Sequence, residues 1–400
     1  MKDGIVILDG ARTPFGSFLG SLKDVGATEL GVIAAVAALE RSRVDSSWID
    51  QVIFGNVIQS SVDAAYLARH VGLKAGVPKE TPAVTVNRLC GSGLEAIVQG
   101  AHRLLLDDAE FVLAGGTESM SQAPYSVFGA RGGLRLGHHQ LEDVLWGALT
   151  DSYNCLEMAE SAELLAQRYE VAREEQDEYA YRSHMRAAQA RSSGRFAQEI
   201  IPVTIIDKKG RTRVVKHDEH IRPDTSLQAL AALPPRFRAD GTVTPGNASG
   251  INDGAAAVVV TTERVAAQRD LKPLGRLVSW AVAGVDPDYM GIGPAPASRQ
   301  ALARAGLKLE NIDLVEINEA FAGQYLSVEA ELGLDRERTN VNGGAIALGH
   351  PLAASGARLA LTLLYELRLR KKRYGLVSLC IGGGQGIAAV LENLQRRDSE

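Results

Sequence analysis

The sequence is poor in cysteine and in aromatic residues, and neither sign of charge is in large excess. Only Cys90, Cys155 and Cys380 occur among the 400 residues. Three thiols are too few, and odd in number, to cross-link so long a chain, so they argue against a disulfide framework and predict a reducing compartment, the cytoplasm. Aromatic residues make up only 5% of the chain, which argues against a ligand-binding cage of aromatic rings. The 41 glycines favour many tight turns.

The charge pattern also excludes classes of partner. The formal net charge is −5, and no basic tract is long enough to follow a phosphate backbone, so nucleic acid is not an expected partner. No segment is apolar enough to span a bilayer, and the N-terminus lacks the basic and apolar regions of a secretory signal. The sequence therefore predicts a soluble, cytoplasmic globular protein.

Short apolar runs such as IVILD and EFVLAGG alternate with alanine-rich stretches along the whole chain. This alternation is typical of an α/β protein with largely buried strands. The second half repeats the first: ALERSRVDSSWIDQVIF (38–54) runs parallel to ALARAGLKLENIDLVEI (301–317), an offset of 263 residues from 38 to 301. The same offset places LCGSG (89–93) on LAASG (352–356) without a gap. A duplicated α/β unit is predicted, with the two equivalent turns facing each other across a pseudo-twofold axis.

The central part of the chain belongs to neither repeat. It mixes glycine-rich turns with a charged helical stretch, which predicts an inserted domain. The predicted organisation is a first half formed by residues 1–120 and 250–270, an inserted domain at 121–249, and a second half at 271–400.

Cys90 follows a valine-rich strand and precedes a glycine turn and a helix with apolar residues at helical spacing. A sulfur at a helix N-terminus lies in partial positive charge that stabilises a thiolate. This predicts a pKa below the usual value of about 8.5 and a nucleophile at neutral pH. The alternative is a small buried hydrophobic residue.

His350 also stands at a predicted helix start, since Pro351 suits a first helical position and glycines precede it. By the repeat offset, His350 lies three residues before Ala353, which occupies the position equivalent to Cys90. Facing turns would bring the imidazole and the thiol together for proton transfer. The alternative is a structural histidine.

Cys380 ends the strand YGLVSLC and opens the run IGGGQG, after which GIAAVLE has the pattern of a second strand. A dinucleotide fingerprint would need a helix there, whereas free N–H groups beside a thiol fit an oxyanion hole. A flexible hairpin with a buried cysteine is the alternative. Asn318, next to Glu319 at a strand end, is a further polar candidate, with helix capping as its alternative.

The remaining candidates are weaker. His217 and His220 in HDEH lie in a charged loop without a third convincing ligand, which predicts solvated side chains rather than a metal site. No HExxH, GxxxxGK[ST] or GxSxG motif occurs. Cys155 has no glycine turn beside it and is assigned no role.

Four segments in this order, NRLCGSG, EINEAFA, NVNGGAIALGHPLAASG and CIGGGQG, resemble the thiolase family of acyl-CoA acyltransferases. The likeness covers essentially the whole chain, because four further segments also resemble thiolase segments at matching places. These are ARTPFG, AGGTESMSQAPY, PGNASGINDGAAAVVV and VDPDYMGIGPAPA. It implies two βαβαβ-type halves stacked in five layers, α/β/α/β/α, with the insertion as a loop domain that covers the active site and holds CoA.

The resemblance also implies an activity: reversible Claisen condensation or thiolytic cleavage of acyl-CoA thioesters, as in fatty acid metabolism. Acyl-CoA and CoA would be substrates, without a resident cofactor or metal. A homodimer or homotetramer is implied as well, because ARGGLRLG resembles the tetramer-forming loop of thiolases.

Family roles can be placed on this numbering. The cysteine matching Cys90 takes the acyl group, helped by the histidine matching His350, and the cysteine matching Cys380 is the acid or base at the α-carbon of acetyl-CoA. The asparagine matching Asn318 orders a water that forms one oxyanion site with His350. The backbone N–H groups matching Cys90 and Gly382 form another.

The resemblance further implies binding residues. Ser249 would contact the pantetheine arm, Arg222 the nucleotide phosphates, and Met158, Phe321 and Met290 would line the acyl pocket. The acyl chain length is not predicted.

The chain departs from the family pattern at two positions. Ala353 replaces a common glycine near the catalytic turn, and Glu157 replaces a histidine that some short-chain thiolases carry. Two other functions use the same fold. A ketoacyl synthase would typically have a second histidine where this chain has Cys380, and a catalytically silent lipid-binding protein would have no use for the retained cysteines, His350 and Asn318.

Overall fold

The computed structural model describes residues 3–206 and 209–395. The strands are β1 (Ile5–Arg12), β2 (Gly16–Ser17), β3 (Gln51–Gly55), β4 (Ala83–Val86), β5 (Phe111–Ser119), β6 (Tyr125–Ser126), β7 (Glu142–Asp143), β8 (Thr150–Asp151), β9 (Leu156–Glu157), β10 (Val203–Ile206), β11 (Thr212–Val215), β12 (Asn252–Thr262), β13 (Gly275–Gly284), β14 (Leu314–Ile317), β15 (Tyr374–Ile381) and β16 (Gln385–Asn393). The α-helices are α1 (Ala27–Ser42), α2 (Leu67–Lys74), α3 (Ser92–Leu105), α4 (Val144–Ala148), α5 (Met158–Arg168), α6 (Arg173–Ser192), α7 (Leu227–Ala231), α8 (Glu263–Gln268), α9 (Pro294–Ala305), α10 (Ala322–Leu332), α11 (Ala345–Leu348) and α12 (Leu352–Leu369).

Ten strands form one mixed sheet in the order β14-β15-β16-β13-β1-β12-β5-β3-β4, with β2 paired to β12. Strands β3, β4 and β5 pair in parallel, as do β14 and β15, and the other long neighbours are antiparallel. The two halves join where β1 pairs with β13 over Ile5–Ile7. The sheet therefore consists of two similar parts linked by one short antiparallel contact.

Apolar residues form three large cores between the layers. One core lies around α3 and α12, which pack on each other and on strands of both halves. A second lies under α1 and α2 on the first half, and a third lies under α9 and α10 on the second half. Two strand layers are thus separated by one helical layer and covered by two others, which confirms the predicted five-layer α/β class.

The repeat offset recurs in hydrogen bonds. The Asp50 Oδ2 atom accepts the backbone N–H groups of residues 110–111 at 2.8 and 3.0 Å. Asp313 Oδ2 accepts those of residues 373–374 at 2.9 and 3.0 Å. Each acceptor and donor position in the first half is therefore 263 residues before its counterpart in the second.

Helices α3 and α12 meet through equivalent glycines. A Cβ atom on Gly93 would lie 2.8 Å from the backbone nitrogen of Ala357, and one on Gly356 would lie 2.4 Å from that of Leu94. These two contacts are related by the same offset, so the helix starts cross as a pseudo-symmetric pair. Glycine is required at both positions because the backbones approach too closely for a side chain.

The inserted segment leaves the sheet after β5 and returns at β12, whose first pairs include Ser119 with Asp253. Between them, α5 and α6 pack against α10 and α11 of the second half. Buried ion pairs from Arg12 to Glu199 and Asp218 hold the segment to β1. The division of the chain at 120, 249 and 270 stays a prediction. None of the helices within 3–206 and 209–395 combines the length and the hydropathy needed to cross a membrane.

Candidate active site

Cys90 lies in a tight turn between β4 and α3. Leu89 has φ 45°, in the left-handed region, which is uncommon and strained for a branched side chain. The hydroxyl of Ser92 donates to the carbonyl of Leu89 at 2.6 Å and accepts the N–H of Arg88 at 2.8 Å. These bonds fix the strained turn, and Cys90 stands two residues before the helix as predicted.

His350 occupies the matching turn before α12. Its backbone N–H donates to Asn252 Oδ1 at 3.1 Å, and the amide of Asn252 donates to the carbonyl of Gly16 at 2.8 Å. The imidazole Nδ1 lies 2.6 Å from Ser355 Oγ, and Nε2 lies 3.3 Å from Asn318 Nδ2. Both ring nitrogens therefore have partners in the protein.

Cys380 is the last residue but one of β15, and residues 382–384 turn the chain into β16, which is the strand–glycine–strand arrangement predicted. Gly383 and Gly384 both have φ 79°, which residues with side chains rarely adopt. Cys380 is buried with Met290 and Ala320, and Met158 packs on this cluster. The thiol therefore has an almost entirely apolar surrounding.

The backbone N–H groups of Gly382 and of Cys90 itself act on the sulfur of Cys90 and lower its pKa against the effect of burial. Gly382 also lies against the Cys90 turn, since a Cβ atom on it would be 3.1 Å from Leu89 Cδ1. Two backbone donors at one point can stabilise an oxyanion that develops beside the sulfur. The thiol of Cys380 is close enough that a charge on Cys90 raises its pKa. The turns of Cys90 and Cys380 thus meet, and Leu352, two residues after His350, packs with Cys90 as well. The three turns therefore lie in one region, although nearly 300 residues separate Cys90 from Cys380.

The pKa of Cys90 is opposite to the prediction. Burial raises it to about 11; hydrogen bonds from the backbone act against burial, while the charge of Glu118 adds to it. The residue as a whole is of intermediate exposure, and it packs with Met120 and Leu352, which line the cavity described below. The helix N-terminus cannot outweigh the loss of water around the sulfur, so the resting residue is a thiol.

The neighbouring groups are also neutral at rest. Burial, with a smaller effect of Arg358, lowers the pKa of His350 to about 3. Burial raises the pKa of Cys380 far above its usual range. An uncharged imidazole beside an uncharged thiol can act as a base only when substrate attack makes the proton transfer favourable.

Asn318 is fully buried at the end of β14 and contacts His350 through its amide nitrogen. Its Oδ1 atom is buried and has no partner. A buried amide oxygen without a partner is rare, and it is available to a water or a substrate group. Helix capping, the alternative for Asn318, does not occur, because α10 begins four residues later.

An apolar cavity of about 240 Å³ opens beside His350. Three residues predicted to bind substrate line it, namely Met158, Ser249 and Phe321. Met290 does not line it but is buried directly behind, against Cys380. Arg222 is exposed and is not part of the cavity wall.

Several lining residues were not predicted from the sequence. Met120 lies at the end of the first half and Leu352 begins α12, while the inserted segment contributes Trp146, Leu149, Arg236 and Phe237. Arg236 supplies a cation to the cavity wall, a role that the sequence analysis gave only to Arg222. Its segment PPRF carries no motif that would have indicated this position.

A larger surface depression of about 400 Å³ lies between α6 and residues 336–337, away from the catalytic turns. Within residues 3–206 and 209–395, no group of three or more histidine, cysteine or acidic side chains is arranged to hold a metal ion. Cys155 is exposed, and His217 is exposed as predicted, whereas the prediction of a solvated side chain is wrong for His220, which is half-buried against His184 and Gly250. The apolar cavity beside His350 is therefore the better candidate for substrate binding.

Comparison with known proteins adds independent information. Residues 5–264 match the family model "Thiolase, N-terminal domain", and residues 271–393 match "Thiolase, C-terminal domain". The chain is 53% identical to human mitochondrial 3-ketoacyl-CoA thiolase over 98% of both proteins. It is 47% identical to acetyl-CoA acetyltransferase of Syntrophomonas wolfei, over 98% of this chain and all of the relative. A crystal structure of human mitochondrial 3-ketoacyl-CoA thiolase in complex with CoA superimposes with a TM-score of 0.95, at 52% identity over 98% of each chain.

Proposed function

Because the chain belongs to the thiolase family, we propose that it cleaves 3-ketoacyl-CoA with CoA, or condenses acyl-CoA thioesters in reverse, through an acyl intermediate on Cys90. The observation that carries the proposal is that His350 lines one apolar cavity, while Cys90 and Cys380 pack with the lining residues Leu352 and Met158. This acyltransferase reaction needs one nucleophile, a second acid and two groups of oxyanion donors.

In the first step of thiolysis, the proton of the Cys90 thiol moves to His350 Nε2 as the sulfur attacks the C3 carbonyl. The resulting oxyanion would accept hydrogen bonds from the N–H groups of Cys90 and Gly382; in support, both groups lower the pKa of the Cys90 sulfur. The oxyanion then collapses and the C2–C3 bond breaks. The acyl group stays on Cys90, and acetyl-CoA leaves as its enolate.

The enolate takes a proton at C2 from the thiol of Cys380, giving acetyl-CoA and a Cys380 thiolate. The high pKa of this thiol suits protonation of a carbanion, which is a strong base. His350 and a water held by Asn318 Oδ1 would stabilise the enolate oxygen, since that Oδ1 has no protein partner.

Free CoA completes the cycle. Its thiol gives a proton to Cys380, its sulfur attacks the acyl–Cys90 thioester, and Cys90 leaves with the proton that His350 held. All groups return to their starting state. These steps are written without a metal or a resident cofactor, whose absence stays a prediction.

We also propose that CoA enters along Ser249 and Phe237, with Arg236 rather than Arg222 nearest the cavity. The support for CoA as ligand is the family and the CoA complex of the human relative. Arg222 stays a candidate for the nucleotide phosphates further out. Replacing each arginine by alanine separately and measuring KM for CoA distinguishes them.

A homotetramer is proposed as the assembly. Strand β4 is an unpaired sheet edge, and Val62, Tyr66 and Val84 near it are 103%, 62% and 43% exposed. Apolar side chains on a sheet edge favour pairing with another chain. The second contact of the tetramer is assigned to ARGGLRLG (residues 130–137), where Leu134 and Leu136 are also exposed. Light scattering should give about four times the chain mass of 42.6 kDa.

The compartment is proposed on composition alone. Unpaired thiols favour a reducing compartment, and we propose that this compartment is the cytoplasm. The human relative, in contrast, is named a mitochondrial protein. Fractionation of the source cells followed by immunodetection separates the two.

The function is tested with purified protein and 3-ketoacyl-CoAs of increasing chain length. We expect CoA-dependent formation of acetyl-CoA and an acyl-CoA two carbons shorter. The variant Cys90→Ala should abolish both products, whereas Cys155→Ala, at an exposed thiol outside the site, should keep wild-type turnover. Equal activity of wild type and Cys90→Ala would refute the proposal.

A further inference from the structure

We propose that Ser355 is a positioning residue that holds His350 in the tautomer with its proton on Nδ1. In this tautomer Nε2 keeps its lone pair and can accept the proton of Cys90. The inference rests on the proposed function for its catalytic consequence, but the tautomer itself is a property of the resting protein.

The first observation is the position of Ser355 in the first turn of α12. Its Oγ lies 2.6 Å from His350 Nδ1 and 2.9 Å from the carbonyl oxygen of Pro351, and both side chains are buried. A hydroxyl has a single hydrogen. If that hydrogen is donated to Pro351, the Oγ atom must accept one from Nδ1.

The second observation comes from the repeat. Ser92 stands 263 residues before Ser355, in the turn of Cys90. Its Oγ accepts the backbone N–H of Arg88, which can only donate, so its own hydrogen must go to the carbonyl of Leu89. Ser355 also has a preceding carbonyl and a nitrogen as neighbours, although its carbonyl is that of Pro351, which is the offset equivalent of Arg88 and not of Leu89. Ser92 is therefore an example, at the equivalent position of the repeat, of a serine hydroxyl that donates to a preceding carbonyl, and we infer the same direction for Ser355.

The third observation lies on the other side of the ring. Asn318 Nδ2 is 3.3 Å from His350 Nε2, and an amide nitrogen donates, so Nε2 must be the unprotonated nitrogen. The opposite network would need the Ser355 hydroxyl to donate to Nδ1, a proton on Nε2 and a reversed Asn318 amide. That network would leave His350 without an acceptor for the Cys90 proton.

The tautomer is measured directly by solid-state ¹⁵N NMR of full-length protein labelled in histidine, in the resting state. The His350 signals are assigned by their loss in His350→Asn. We expect Nδ1 protonated and Nε2 unprotonated. A wild-type signal with the proton on Nε2 would overturn the proposal, and this result needs no variant of Ser355 to fold.

Variants test the role of the hydroxyl. Ser355→Ala should shift most of the population to the tautomer with its proton on Nε2 and lower kcat for thiolysis by about 10- to 100-fold, at or below the lower end of the ~10²- to 10⁴-fold contribution of general acid–base catalysis. KM for CoA should change by less than about twofold. Ser355→Thr, which restores a hydroxyl, should restore the tautomer and most of kcat. A kcat of Ser355→Ala within twofold of wild type would refute the positioning role.

The matched control is Ser92→Ala, which removes the equivalent serine from the other turn. It should leave the His350 signals unchanged even if the Cys90 turn is perturbed. If it shifted them as much as Ser355→Ala, the effect would be general and the assignment to Ser355 would be wrong. Failure of the proposed function has a different signature. The wild-type protein would then form no acetyl-CoA, whereas the ¹⁵N signals of His350 would still report the proton on Nδ1.

Discussion

Glu118 offers a sharp test of how the two catalytic turns are held together. Its carboxylate is fully buried, and each of its oxygens accepts two hydrogen bonds. Oε1 accepts from Asn56 Nδ2 and Ile58 N at 3.1 and 3.0 Å, and Oε2 accepts from Val57 N and Ala353 N at 3.2 and 3.1 Å. The carboxylate thus links the first half of the molecule to the start of α12, three residues after His350.

Glu118→Gln is nearly isosteric but replaces one oxygen by an amide nitrogen, which can only donate. Whichever way the amide turns, two buried donors lose their acceptor and face another donor. Each buried donor without a partner costs about 1–3 kcal/mol, so the variant should lose about 2–6 kcal/mol of unfolding free energy. This is a large fraction of the stability of a typical domain.

The assay is urea unfolding at pH 8 and fixed protein concentration. Burial raises the pKa of Glu118 to about 7, so the wild-type group is ionised at pH 8. Glu40→Gln, at an exposed position on α1, is the control and should change the unfolding free energy by less than about 0.5 kcal/mol. If Glu118→Gln matched that control, the hydrogen-bond argument would be refuted.

Three further predictions concern the site and its support. The rate of Cys90 alkylation by iodoacetamide should still rise above pH 9, because burial raises its pKa to about 11; a plateau below pH 8 would contradict this. His350 has a folded pKa of about 3 against 6.5, so the unfolded chain binds one more proton between these values and stability falls as the pH is lowered. His350→Asn should therefore remove a slope of about 1.4 kcal/mol per pH unit near pH 5, measured by urea unfolding across pH, and an unchanged slope would refute the shift. Gly116→Ala should yield little folded protein on expression, because its Cβ would lie 1.9 Å from the carbonyl oxygen of Ala353, whereas Gly147→Ala in α4, with no atom within 4 Å, should leave the melting temperature unchanged or raised.

The sequence predicted those parts of the site that depend on local pattern. Cys90, His350 and Cys380 each stand at a strand end or a helix start with glycines nearby, and short-range geometry fixes such turns. The repeat offset predicted that the first two turns would face each other, and the contacts of Gly93 and Gly356 agree with that expectation.

The parts that the sequence did not predict depend on long-range packing. The pKa of Cys90 is set by the surrounding protein, which the chain near Cys90 does not reveal. Glu118 has no visible partner in its own segment, because its donors lie about 60 and 235 residues away. Arg236 and Phe237 reach the cavity from the inserted segment, whose packing has no periodic signal in the sequence.

The central claim is that Cys90 alone carries the acyl group, and one measurement tests it directly. The wild-type protein is incubated with acetyl-CoA without free CoA, quenched in acid, digested and examined by peptide mass spectrometry. The account predicts an acetyl adduct, about 42 Da heavier, on the peptide with Cys90 and none on the peptides with Cys155 or Cys380. Absence of an adduct on Cys90, or its presence on Cys380 instead, would contradict the account.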